Sequence, residues 1–396
     1  MSIICVMNLQ SLQNETILMF GKPRAFSYQE FELQLSHHNL IVLDEATSDV
    51  TLIIEGRMMN PYEQNKSDQL YEELGIKTIS IDQFEKILVE NINERNLLMS
   101  LKLSRDKERL KSFIMNSCIS DTLFFQLIKM YNWGGEDFFD NDSNRDVSAA
   151  FIKRFYENIE RNHNVEYATT GFIHLISKTK RNDVLEAIID LEPSKLHPKI
   201  FHALALNHYA DGSLQLQLHK KSQEYIDEAL SLNTKLTLEL VDLFLNKEIY
   251  KENIAHYRIL DSELFQRCLE MQLDVALAHN TSLSKEMQYQ LFMRDKQEIF
   301  MALAQNSALD IELFWLLETK EDESLQQVLL QNPVAPQEFL QKIYEKGIYL
   351  DSLAKNENTP VEILYQLQLD SRYERYVKTN AAFGKHIQSH NIGWII

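Results

Sequence analysis

The sequence predicts an α+β protein: a small parallel α/β head over residues 1–92, a connecting helix over 93–112, and an all-α superhelical repeat array over 113–396. A motif recurring about every 25 residues through 204–390 argues for the array, because such self-similarity marks a solenoid whose units contact mainly their neighbours. Short β-rich apolar runs confined to the first 92 residues argue for the head. Ten glycines and seven prolines in 396 residues suit a largely helical chain with tight, repeated turns.

The head alternates strand and helix. Thr16–Phe20 is an apolar run closed by Gly21 and Pro23, and Ser27 with Glu30 forms a capping box opening a helix to His37. Residues 39–43 and 50–54 are β-rich runs parted by a polar turn. Pro61–Leu74 is helical and stops at Gly75, residues 77–81 form a strand, and Asp82 caps a last helix. Strands this apolar are buried on both faces, so a mainly parallel sheet covered by helices is expected.

Residues 93–116 read as one long helix carrying Lys102, Arg105, Lys107, Arg109 and Lys111, a solvated connector. Its end falls into the repeat frame through Phe113, Asn116, Leu123 and Leu127, and degenerate repeats are expected from there to Asn207. Residues 133–146 interrupt them. Asp140, Asp142, Asn144 and Asp146 alternate like the oxygen ligands of a calcium loop, but Arg145 and Phe151 stand where that loop needs glycine and glutamate. An acidic surface loop without metal is expected.

The array is framed by Asn207, Asn233, Asn280, Asn306, Asn332, Asn356 and Asn380, with Tyr257 in one asparagine's place; the spacings are 23 to 26 residues. Three positions earlier stands an aliphatic (Leu204, Leu230, Ile254, Leu277, Leu303, Leu329, Leu353, Val377). Apolar residues recur seven and eleven positions later. These spacings fit two short helices per repeat, each burying one face. Four positions after the asparagine come helix starters such as Asp211, Asp261, Ser284 and Asp310, and two further on a glutamate (Glu239, Glu263, Glu286, Glu312, Glu338, Glu362) in the first turn, where the helix dipole favours it. Thr359-Pro360-Val361-Glu362 reads as a capping box with proline at the first helical position. The asparagines are read as structural hinges, because asparagine tolerates the left-handed conformation that ends a helix. Trp394, Ile395 and Ile396 are expected to fold back as a terminal cap.

The residue before each hinge changes type along the array. It is leucine in two early copies and then His256, His279, Gln305, Gln331, Lys355 and Thr379, while its neighbours two places earlier stay aliphatic. His256, His279, Gln305, Gln331 and Lys355 are therefore expected to line one exposed, partner-binding surface. The glutamates form a second line, so a partner spanning both needs positive charge.

The pattern carried by LAKNENTPVEILYQL resembles the leucine-rich repeat variant family from about Asn207 to Asn380. That resemblance implies a HEAT-like superhelix of alternating α and 3₁₀ helices and no chemistry. In the head, KSDQLYEELGIKTISIDQFEKIL and the strand VTLIIEG are similar to BRCT domains, which implies an adaptor module of DNA-maintenance proteins. The hydroxyl residue that phosphopeptide-binding members place before the first-strand glycine is Phe20 here, and the family's lysine aligns near Ser67, one place from Lys66. The resemblance thus implies a BRCT-like head without the phosphate donor.

The net charge of −18 argues against wrapping duplex nucleic acid, and residues 1–100 carry seven Lys/Arg against fifteen Asp/Glu. Cys5, Cys118 and Cys268 form no CxxC pair, and Cys268 falls on a core position. No apolar run is long enough to span a membrane, and the first residues lack the pattern of a secretory signal, so a cytoplasmic monomer is expected. No HExxH, phosphate-cradling glycine loop or GxSxG elbow occurs, and His197, His202 and His208 do not share one helix face. Neither catalysis, a cofactor nor a metal is expected. The function expected is a non-enzymatic protein-binding scaffold, with a nucleic-acid-associated repair or replication accessory, docked through the head, as the alternative.

Overall fold

The computed structural model describes residues 9–12, 15–24, 26–134, 141–156, 168–191 and 198–390. It is mostly helical with one small parallel sheet. Asp140, His197, Cys5 and the segment 394–396 lie outside the described residues. Contacts divide the chain into two units, 1–204 and 205–396.

In the first unit β1 (Thr16–Phe20), β2 (Ile41–Leu43), β3 (Leu52–Glu55) and β4 (Lys77–Ser80) form a sheet in the order β2-β1-β3-β4, parallel throughout. Parallel neighbours need crossovers, and α1 (Tyr28–His37) and α2 (Pro61–Leu74) supply them, followed by α3 (Ile81–Glu90). Ile17, Ile53 and Ile54 are fully buried, as two-sided coverage requires. Two caps differ from expectation. The reciprocal capping box is at α2, between Asn60 and Glu63, whereas Ser27 caps α1 by accepting only the Glu30 N–H. Ser80 caps α3, and Asp82 sits in its first turn paired with Arg24 at 2.5 Å. Past β1 and β3 the chains run so close that a Cβ on Gly56 would lie 2.5 Å from the Phe20 carbonyl, and Gly21 has φ +73°.

The expected long connector is two helices, α4 (Glu94–Ser104) and α5 (Lys107–Met115). Arg105 is left-handed (φ 53°), and Asp106 caps α5 by accepting the N–H groups of Glu108 and Arg109. Nor is α5 merely solvated. Arg109 Nε lies 2.6 Å from the carboxylate of Glu30, itself 4% exposed, and Phe113 meets Phe26 edge-on at 5.6 Å. Then follow α6 (Asp121–Met130), α7 (Asp142–Phe155), α8 (Ala168–Lys178) and α9 (Asn182–Ile189). Asp142, Asn144 and Asp146 are therefore helical, not a loop. Alternate residues on a helix point apart and cannot converge on an ion. Asn144 is buried, its amide donating to the Gly134 carbonyl at 2.8 Å.

In the second unit short helices alternate as the spacing predicts. Glu224–Ser231, Lys251–Tyr257, Asp274–Ala278, Gln297–Gln305, Glu323–Gln331, Leu350–Lys355 and Glu374–Thr379 pack each on the next, with a second helix after each. The aliphatics three before the hinge are at most 1% exposed, and the residues eleven after it at most 4%. Cys268 is one of these, and burial pushes its thiol up to about 11, which leaves it unreactive. Asp211, Asp261, Ser284 and Asp310 each accept the N–H three residues on, as caps. Pro360 stands one place outside its helix rather than at the first helical position, and Thr359 caps nothing; its hydroxyl donates to the Leu353 carbonyl at 2.7 Å. Among the described residues no strand lies beyond residue 110.

Candidate partner-binding surfaces

The hinge asparagines are buried, and their amides are fully engaged. Asn306 Nδ2 donates at 2.9 Å to both the Ala278 and Asn280 carbonyls of the preceding repeat, and its Oδ1 accepts the Ala308 N–H at 2.8 Å. Asn233, Asn332, Asn356 and Asn380 likewise reach the preceding hinge carbonyl and the carbonyl two residues before it; Asn280 reaches Ala255 and Arg258. Asn207 accepts the Tyr209 N–H at 2.7 Å. The hinge does not rest on left-handed backbone. These asparagines are extended (Asn306 φ −67°, ψ 118°), not left-handed. They serve because asparagine alone combines two amide donors and an acceptor on so short a side chain. The left-handed residues stand elsewhere, fifteen positions on, at Ser222, Gln272, Asp295 and Glu321.

Where Tyr257 replaces asparagine, Arg258 donates to the carbonyls of Thr234 at 3.0 Å and Leu236 at 2.8 Å. Nothing in the repeat spacing marks Arg258 for this work. Buried Gln215 and Gln288 are two more rungs that patterning missed: Gln288 donates to Leu283 and Ala308 carbonyls and accepts the Asp310 N–H at 2.8 Å. The signal was a glutamine eight positions after Asn207 and Asn280, where the hinges at 233, 257, 306, 332 and 356 have an apolar residue.

With the rungs fixed, the residue before each hinge lies beside them on the surface. His256 and His279 are half-buried and stacked, ring centres 5.4 Å apart, and His256 lies flat on Tyr257 at 4.1 Å. Burial, and for His256 also the neighbouring imidazole, holds both below the usual histidine range. Gln305, Gln331 and Lys355 are exposed, the last with its ammonium 4.3 Å over the Tyr376 ring. The glutamates six after the hinge are exposed too, each in a first helical turn.

In the head, the polar groups of Gly21 and Ser67 are held by the chain's own acids. The Gly21 N–H donates to Glu63 Oε1 at 3.3 Å, and the fully buried Ser67 hydroxyl donates to Glu55 at 2.9 Å. Two carboxylates there disfavour a third anion.

The first unit also holds a cleft of about 1170 Å³ between α4, α5, the end of α6 and the start of α7. Leu98, Met99, Leu110 and Met130 give it an apolar wall. Its carboxylates are engaged: Glu94 accepts the Ser120 hydroxyl at 2.7 Å, Asp106 caps α5, and Glu108 pairs with Lys111 at 3.3 Å. Lys129 is paired with Asp190 at 3.0 Å. Arg95, Lys102, Arg105 and Lys107 remain exposed on its rim, in no ion pair among the described residues.

Among the described residues no cluster of His, Cys, Asp and Glu could hold a metal ion, and no helix is long and apolar enough to cross a membrane. No protein-family model matches the chain, and neither a curated protein nor a solved structure matches it.

Proposed function

We propose that this chain is a non-enzymatic protein-binding scaffold, a superhelical array of leucine-rich-repeat-variant type behind a BRCT-like head. One observation carries the reading. The polar groups of the hinge rungs are committed inside the array, while His256, His279, Gln305, Gln331 and Lys355 recur at the same step on its surface. A regular surface held by a self-satisfied interior suits the binding of an extended partner. The exposed glutamate line beside it favours a basic one. The head binds protein by a face other than the family's phosphate corner, because Glu63 and Glu55 hold the groups there.

The test is affinity purification of the tagged full chain from its native cells, set against a chain carrying His279→Ala, Gln305→Ala and Gln331→Ala. The triple variant should lose the partner while melting within about 4 °C of the parent, since Gln305 and Gln331 are exposed and His279 is half-buried. An unchanged set of partners would leave the track as ordinary surface. A nucleic-acid accessory role is the second reading, favoured by the exposed Arg95, Lys102, Arg105 and Lys107, in no ion pair among the described residues.

A further inference from the structure

The cleft in the first unit is chemically unlike the rest of a chain whose net charge is −18. The residues that line it carry six Lys/Arg against three Asp/Glu. Glu94 and Asp106 keep their charge while bonded to Ser120 and to the α5 backbone, and Glu108 pairs with Lys111, so cations still outnumber acids there. Arg95, Lys102, Arg105 and Lys107 stand exposed around an apolar wall, in no ion pair among the described residues. Exposure of apolar area beside them is large: Met99 is 56% exposed and Leu103 74%.

We propose that this cleft binds an acidic amphipathic helix of a protein partner. The apolar face of such a helix would lie on Leu98, Met99, Leu110 and Met130, and its carboxylates would meet the four rim cations. Two features select this occupant. An apolar groove takes helices through anchors at i, i+3, i+4 and i+7, and methionines adapt to varied anchors. The rim cations, in no ion pair among the described residues, supply the complementary charge, which sets orientation and association rate. A nucleic acid fits less well. Its phosphates need a continuous basic track and its bases an aromatic platform, whereas this wall is aliphatic and the Tyr131 hydroxyl is already bonded to Asn144 at 3.0 Å. The surrounding acidic protein would also repel a long polyanion. This surface belongs to the first unit and the histidine–glutamine track to the second, so either reading can fail without the other.

The full-length chain is titrated into a fluorescent synthetic peptide of about eighteen residues, five helical turns, with leucines on one face and glutamates on the other. Saturable binding is expected, weakening as salt rises from about 50 to about 200 mM. Lys102→Glu with Lys107→Glu should weaken it at least about tenfold, and so should Met99→Asp, with melting unchanged because these side chains are exposed. A peptide of the same composition with its faces scrambled should bind at least about tenfold more weakly. The proposal is overturned if no binding is seen, if scrambling makes no difference, or if the variants bind like the parent. It is equally overturned, in favour of nucleic acid, if a single-stranded oligonucleotide binds more tightly than the peptide and displaces it.

Discussion

Residues 107–156 and the array of residues 205–390 close the same kind of turn with different chemistry. In the array a buried asparagine donates both amide hydrogens to the turn before it. In the earlier stretch Arg154 reaches back from the end of α7, and its guanidinium donates to the carbonyls of Ser117 and Ile119, one and three residues after Asn116. Arg258 carries the arginine device into the array, bonding Thr234 and Leu236, one and three residues after Asn233, where the asparagines bond the hinge carbonyl and the one two residues before it. The turn requires donors rather than a particular residue. An amide delivers them uncharged and can be wholly buried; a guanidinium brings a charge that burial penalises. Arg154 keeps Asp121 at 2.8 Å, whereas the half-buried Arg258 is held below the usual arginine range, by desolvation first. Asn116, with no repeat before it, accepts the Cys118 N–H, but its buried Nδ2 has no partner among the described residues.

The comparison predicts unequal costs. Asn306→Ala would strip partners from two carbonyls and one N–H in a dry interior and should lower stability by about 3–5 kcal/mol in urea denaturation. A loss under about 1 kcal/mol would mean that water replaces the rung. Arg258→Ala, at a half-exposed site, should cost about 2 kcal/mol. Adding Tyr257→Asn to that variant should restore about half, by returning the amide to its usual place. If the double variant is no more stable than Arg258→Ala, an asparagine cannot stand in for the arginine. Gln272→Gly should raise stability by about 0.5–1 kcal/mol, because Gln272 holds φ 59°, where glycine meets no steric penalty. A destabilised Gln272→Gly chain would show that its side chain contributes more than its backbone strains.

Much of this was legible in the sequence because short periods and helix starters act locally. The strands and helices of residues 16–90, the core positions around each asparagine and the exposed glutamate line all follow from patterning. What patterning missed depends on contacts between distant residues. The break at Arg105 left no glycine or proline to mark it, and Asp106 reads as one more charge until its carboxylate is seen capping α5. The asparagine's extended backbone is not legible because tolerance of left-handed φ and a dense hydrogen-bonding inventory both suit a helix end, and only the packed carbonyls decide between them. Arg154 and Arg258 resemble surface arginines until the carbonyls they serve are in place. The cleft was visible only as a cationic stretch, because which acids are already engaged cannot be counted from a sequence.

The smallest expected effect separates the two surfaces by pH. The array's track contains the His256–His279 stack, while no histidine lines the cleft. Both imidazoles are held below their ordinary value, by burial first. An unfolded histidine takes its proton as pH falls through about 6.5, and the folded pair takes its protons only lower. The unfolded chain therefore binds more protons in that interval, and stability must fall as pH drops from about 7.5 toward 5.5. The contribution is complete above the unfolded value and lost below it. Protonation would also set two cations face to face at 5.4 Å, opening the stack on Tyr257. A chain carrying His256→Gln and His279→Gln should thus lose less melting temperature across this interval than the parent. Peptide binding at the cleft should change alike in both chains. If the two chains show the same fall in melting temperature, the pH response lies elsewhere, with His38, itself lowered by burial, the next group to replace.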